Sequence, residues 1–139
     1  MRENFCDLTG KVAIVTGTSR GLGQYLGRAL ARAGADLVIT SRTIESLTAF
    51  RTEIEGLGRK VIPLALNVRA YASIQNMVAA ACDAYGKIDI LVNNAGCNIR
   101  KPAIEVTWDD WNTVLDTNLR GSFFVAQAVA KKMIPRGYG

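Results

Sequence analysis

Thr16-Gly17-Thr18-Ser19-Arg20-Gly21-Leu22-Gly23 follows an apolar run and opens a stretch with helical patterning. Glycines at 17, 21 and 23 let the backbone turn tightly and approach a ligand closely, and the free N–H groups at the start of the next helix point outward. That combination binds a pyrophosphate through amide donors and the positive end of the helix dipole. A plain strand-to-helix turn would use glycines in the same way, and the strand before and helix after are what favour the phosphate. About 20 residues past such glycines, an acidic side chain would accept hydrogen bonds from a ribose 2′-hydroxyl and select NAD. Here Ser41-Arg42 stands at that point, with no carboxylate before Glu45. Arg42 can make charge-assisted hydrogen bonds to a 2′-phosphate, Ser41 can donate another, and Arg20 can reach the same group from the glycine loop. Either arginine alone suits a solvated surface; the pair, with no competing carboxylate, favours NADP(H).

Two further segments carry amides. Asp89-Ile90-Leu91-Val92-Asn93-Asn94-Ala95-Gly96 ends an apolar run in two asparagines and a glycine, and Asn118-Leu119-Arg120-Gly121 lies inside a helical pattern. A mid-helix asparagine has poor helical propensity and asks for a reason. Histidine is absent from the chain, which removes imidazole bases, Ser-His-Asp systems and the usual zinc ligand sets. Cys6, Cys82 and Cys97 form no CxxC pair, so no metal site and no disulfide framework is expected. Cys82 falls on an apolar helix face as a small hydrophobe.

The elements that must position these groups alternate strand and helix. Lys11–Val15, Asp36–Thr40, Lys60–Leu66 and Ile88–Val92 read as buried strands, and Pro63 places the third at its start or at a sheet edge. Leu22, Leu26, Ala29, Leu30 and Ala33 keep helical spacing before Gly34. Ile44, Leu47, Phe50, Ile54 and Leu57 mark a second helix, with Thr43 as its N-cap and Gly58 at its end. Ile74, Met77, Val78, Ala81, Cys82 and Tyr85 line a third, closed by Gly86. Thr107 and Asp110 form a capping box before Trp111, Val114 and Leu115; the helical pattern then runs, with a bend near Gly121, to about Ile134, where Pro135 ends it. This alternation predicts an α/β, doubly wound parallel sheet of Rossmann type in the order 3-2-1-4. Asn94-Ala95-Gly96 then falls beside the first strand, at the switch point where ligands sit.

The 139 residues suit one domain, and 49% hydrophobic residues supply its core. No apolar run nears the roughly 18 residues of a membrane span, and Met1–Asp7 lacks the apolar centre of a signal peptide. A cytoplasmic protein without membrane contact is expected. The net charge of +5 is scattered, without Lys/Arg runs interleaved with aromatics, so no nucleic-acid partner is expected.

TGxxxGxG, NNAG and NxxG, in this order and spacing, resemble the short-chain dehydrogenase/reductase family from about Leu8 to the last residue. The resemblance implies hydride transfer between a nicotinamide and a small carbonyl or alcohol substrate. It sets Gly17, Thr18, Ser19, Arg20, Gly21, Leu22 and Gly23 around the pyrophosphate and Asn67-Val68 at the adenine. Relatives often carry an aspartate where Asn67 stands, and Asn67 equally fits a residue that turns the chain. The backbone of Asn94, Ala95 and Gly96 would line the cofactor ribose, while Asn93 ties strands together. Asn118 matches the asparagine that holds a water chain leading to the family's catalytic lysine; a helix-bending hydrogen bond is its alternative role. The family's acid–base pair is YxxxK with a serine upstream. Here Tyr25 is followed at that spacing by Ala29, Tyr71 by Gln75, Tyr85 by Asp89, and Tyr138 only by Gly139. The chain therefore reads as the front half of a dehydrogenase: an NADP-binding domain over 1–139, incomplete at its C-terminus after the fourth strand and following helix. The complete protein would be a homo-oligomer. A non-catalytic dinucleotide-binding module and a pseudoenzyme partner are the alternatives. Asn98–Ala103 and Val114–Leu119 resemble gluconate 5-dehydrogenase-like members, where Arg100 and Lys101 could face an acidic sugar; 3-oxoacyl carrier-protein reductases are similar too.

Overall fold

The four apolar runs form one parallel sheet in a computed structural model that describes residues 6–139. Residues 1–5, most of the segment read above for a signal peptide, lie outside the described residues. The strands are β1 (Val12–Val15), β2 (Asp36–Ser41), β3 (Val61–Ala65) and β4 (Ile90–Val92), ordered β3-β2-β1-β4 as the alternation predicts. β1 pairs Val12 with Asp36 and Ala13 with Ile90, while β2 pairs Leu37 with Val61. Pro63 sits on β3, an edge strand, where a missing N–H costs no ladder bond on the open side.

Helices cover both faces because successive strand residues point to opposite sides. Val12, Ile14 and Val38 pack with α3 (Tyr71–Tyr85) and α5 (Ser122–Met133) through Ile74, Met77, Val78, Ala81, Val125, Ala128 and Val129. Ala13, Leu37 and Ile39 pack on the other face with α1 (Leu22–Arg32) and α2 (Thr48–Gly56) through Ala31, Phe50 and Ile54. Cys82 is half-buried against the first of these cores.

Three local expectations are corrected. α1 buries its leucine spacing only in part: Leu22, Leu26 and Ala29 are exposed, Leu30 packs half-buried against the second core, and Gly23, Gly27 and Ala31 face inward. A Cβ at Gly27 would lie 2.9 Å from the Phe50 ring, so small residues at i, i+4 and i+8 set how closely α1 approaches its neighbours. Thr43 makes no side-chain cap, because the chain enters α2 through a 3-10 turn at Ile44–Leu47 whose backbone closes on itself. The last helical pattern is two helices: α4 (Trp108–Leu115) and α5, joined by a π-helical turn at Asp116–Gly121 that accounts for the bend. The Thr107–Asp110 capping box is present in both directions. Trp111 and Leu115, by contrast, stay exposed.

Candidate functional site

The chain leaves all four strands at the same edge of the sheet, and these four exits wall a cleft of about 1390 Å³. Gly17, Ser19, Arg20, Gly21 and Leu22 come from the exit of β1, and Ser41 and Arg42 from β2. Asn67 and Val68 come from β3, and Asn94, Ala95 and Gly96 from β4. Residues spread over 80 positions thus meet in one cavity, at the end of the sheet where parallel α/β folds place ligands.

The glycine loop is bolted down by groups that its own spacing does not reveal. Thr16 is buried, and its Oγ1 accepts the N–H groups of Asn94 and Ala95, both at 2.9 Å. Asn94 returns the tie, its Nδ2 donating to the carbonyls of Thr16 (3.0 Å) and Gly17 (2.9 Å). Thr18, placed at the pyrophosphate above, is fully buried and does not line the cleft. Its N–H and Oγ1 both donate to the Thr40 carbonyl, at 2.8 and 3.2 Å, and so fasten the loop to β2. Gly23 is also buried behind the loop: a Cβ there would stand 2.2 Å from the Gly17 carbonyl oxygen. It lets α1 pack against the loop and does not touch the cavity. Gly21 does line it, with φ +61° and ψ −139°, a conformation closed to other residues. Nothing lies within 4 Å of the Cβ position there, and no side chain caps α1, so the first amides of the helix remain for a ligand.

Charge in the cleft is one-sided. Arg20, Arg42, Arg69 and Arg120 line it, and among the described residues no aspartate or glutamate does. Arg120 is paired with Asp116 at 2.8 Å; among the described residues the other three have no carboxylate within ion-pair distance. Thr40, Ser46 and Arg69 are lining residues that the sequence reading passed over. Thr40 at the last position of the second apolar run and Arg69 shortly past the third were the signals; Ser46, inside the following 3-10 turn, carried none. Ser46 Oγ donates to Ser41 Oγ at 2.9 Å and so holds the Ser41 hydroxyl at the wall.

Asn118 lies outside the cleft lining, and its side chain bonds neither its own helix nor α3. Its Oδ1 accepts the Cys97 N–H and its Nδ2 donates to the Cys97 carbonyl, both at 2.8 Å. It holds the Asn94–Asn98 wall from behind. Asn93 does not tie strands: its Nδ2 donates to the Ser122 carbonyl at the start of α5. Lys101 is committed to Asp110 at 2.6 Å. Lys101 and the Thr107 N–H hold the Asp110 carboxyl down to about 2, leaving Arg100 as the unpaired cation of that loop among the described residues.

A parallel sheet in this order, with a glycine loop and paired asparagines where its strands end, defines an α/β domain of Rossmann type. The chain belongs to the short chain dehydrogenase family, whose model matches residues 11–139. It is 43% identical over 132 residues to gluconate 5-dehydrogenase of Gluconobacter oxydans, covering 95% of this chain and 52% of that protein. Over the same length it is 36% identical to a 3-oxoacyl-[acyl-carrier-protein] reductase of Thermotoga maritima, covering 95% and 54%. A metagenomic short-chain oxidoreductase solved in complex with NADP superposes with a TM-score of 0.90 at 33% identity, covering 96% of this chain and 61% of that one. The chain thus spans about half the length of the curated relatives it matches. No helix among the described residues is long and apolar enough to cross a membrane.

Proposed function

We propose that this chain is the dinucleotide-binding part of an NADP(H)-dependent oxidoreductase acting on a small carbonyl or alcohol compound. The observation that carries the reading is the cleft wall, with four arginines and, among the described residues, no carboxylate. A ribose 2′-hydroxyl asks for an acidic acceptor, whereas a 2′-phosphate asks for guanidinium donors. Arg42, Ser41 and Arg20 take the 2′-phosphate, the amides of Ser19–Leu22 the pyrophosphate, Asn67 and Val68 the adenine, and Asn94–Gly96 the ribose. The complex of the metagenomic relative with NADP supports that choice.

Bound NADP(H) supplies the hydride exchanged with the substrate carbon. This chain's residues hold and orient the dinucleotide, and Asn118 positions the β4 wall through Cys97. The 139 residues contain no YxxxK, so by themselves they bind the dinucleotide without turning over substrate. We take the substrate class to be a sugar acid, supported by the greater identity to gluconate 5-dehydrogenase than to the oxoacyl reductase. Arg100, free of the ion pair that occupies Lys101, is the cation available to its carboxylate. We further propose that the whole protein is a cytoplasmic homo-oligomer; the exposed apolar residues Trp108, Trp111, Leu115, Leu119 and Phe123 support the oligomer.

Titration of the protein and its Arg42→Asp variant with NADPH and NADH tests the cofactor. One charge-assisted contact is worth about 1.5–3 kcal/mol, so the preference should move roughly ten- to a hundred-fold toward NADH. An unchanged ratio would overturn the assignment.

A further inference from the structure

We infer that Arg69 is a third cation of the 2′-phosphate site, an inference that rests on the NADP(H) reading above. The sheet pairing carries on to the very ends of β2 and β3, where the Leu66 N–H donates to the Ser41 carbonyl at 2.8 Å. Ser41 pairs with Ala65, so Arg42 and Leu66 are neighbours where the two strands end, and Asn67 follows one residue further on. Arg69 follows two residues later, and its amide is held by Asn67, while Asn67 and Val68 before it are themselves fixed. Its N–H donates to Asn67 Oδ1 at 3.0 Å, and the Asn67 N–H donates to Ser73 Oγ at 2.9 Å. Val68 is wedged against Gly121 so closely that a Cβ on the glycine would lie 2.8 Å from the Val68 carbonyl oxygen.

Arg69 lines the cleft together with Arg42 and Asn67. Arg120 lines the same cavity, but Asp116 neutralises it at 2.8 Å. Arg69 has no such partner among the described residues, so it joins Arg20 and Arg42 as the unneutralised guanidinium groups of the cleft. A phosphomonoester carries about −1.5 to −2 charge at neutral pH and three acceptor oxygens. Three guanidinium groups from the exits of β1, β2 and β3 offer one cationic donor group for each of its three acceptor oxygens. Asn67 serves here as the brace that holds Arg69, since one lone pair of its Oδ1 is taken by the Arg69 amide.

The test is calorimetric titration of the whole protein and its Arg69→Gln variant with adenosine 2′,5′-bisphosphate and with AMP. The variant should bind the bisphosphate about ten-fold more weakly, with AMP affinity changed less than about two-fold, as for one charge-assisted contact. Equal losses for both ligands would put Arg69 on the adenine and overturn the inference, as would no loss for either. Arg42→Gln is titrated alongside. If that variant also leaves the ratio of the two ligands unchanged, the NADP(H) reading itself fails; if it lowers the ratio and Arg69→Gln does not, only the role of Arg69 fails.

Discussion

At the scale of single residues, the cleft depends on a division between side chains that face the cavity and side chains that shape the backbone facing it. Ser41, Arg42 and Arg20 belong to the first kind, and residue type and offset alone marked them as candidates. Thr16 and Thr18 belong to the second: buried, within the glycine loop, and engaged with backbone groups up to 79 positions away. Asn118 is the most exposed case of the second kind. Replacing it with alanine leaves the Cys97 N–H and carbonyl without their 2.8 Å partners, a loss of about 1–3 kcal/mol by the cost of unmaking such bonds. Urea unfolding should register that loss, and NADPH titration should show weaker binding because the wall at Gly96 and Cys97 loosens. Asn118→Asp keeps the acceptor for the amide but turns a carboxylate toward the Cys97 carbonyl, so it should rescue neither property fully.

At the scale of elements, the packing of α1 decides whether the glycine loop exists at all. Its fully buried face is Gly23, Gly27 and Ala31, while Leu22 and Leu26, which carry much of its helical spacing, lie outside. Gly23→Val would force a side chain onto the Gly17 carbonyl and onto Asn94 Nδ2, 2.2 and 2.7 Å from the Cβ position. Neither contact can yield without breaking the Asn94 bonds that brace the loop. The expected result is a protein less stable by about 1–3 kcal/mol, the range for overpacking, with no measurable dinucleotide binding. Circular dichroism beside the titration separates the two effects, and a folded variant that still binds would remove the loop from the site. The π-helical turn between α4 and α5 is likewise an element with a task. It carries Asn118 to Cys97 and Gly121 against Val68, and so joins the walls from β4 and β3.

At the scale of the whole molecule, one buried carboxylate pins the end of the sheet opposite the cleft. Asp89 accepts the Val12 N–H at 2.9 Å and Arg136 Nη2 at 2.8 Å, with Lys87 at 3.2 Å. It thereby joins the amino ends of β1 and β4 to the segment that follows α5. Burial alone would push this carboxyl up, but the hydrogen bonds from Arg136, Val12 and Lys87 outweigh it and hold it below the ordinary carboxylate range. A folded value below the unfolded one means that the contribution to stability is complete above about pH 4. It is lost as pH falls through the lowered folded value. Asp89→Asn should therefore cost about 2 kcal/mol at neutral pH, within the range for hydrogen bonds to charged groups. Its acid limb should be flatter than that of the native protein below pH 4. Urea midpoints measured from pH 3 to 7 check both, and parallel acid limbs would show that Asp89 is not the group being titrated.

The sequence by itself determined the order of strands and helices, the sheet order and the acid-free end of β2. Each of these is written in local periodicity, in punctuation by glycine and proline, or in a single residue type at a fixed offset. It also determined the capping box at Thr107, because a cap is complete within three positions. Only the tertiary structure decided that Thr18 and Gly23 stand behind the cleft, that Asn118 grips Cys97, and that Arg69 reaches the wall while Lys101 is spent on Asp110. The inner face of α1 was hidden for a related reason: glycine and alanine make no hydrophobic stripe, and their value lies in the closeness they permit to Gly17 and Phe50. Hydrogen-bond partners and steric limits between distant segments leave no mark in local spacing, because they come into being only when the four strand ends are brought to one edge.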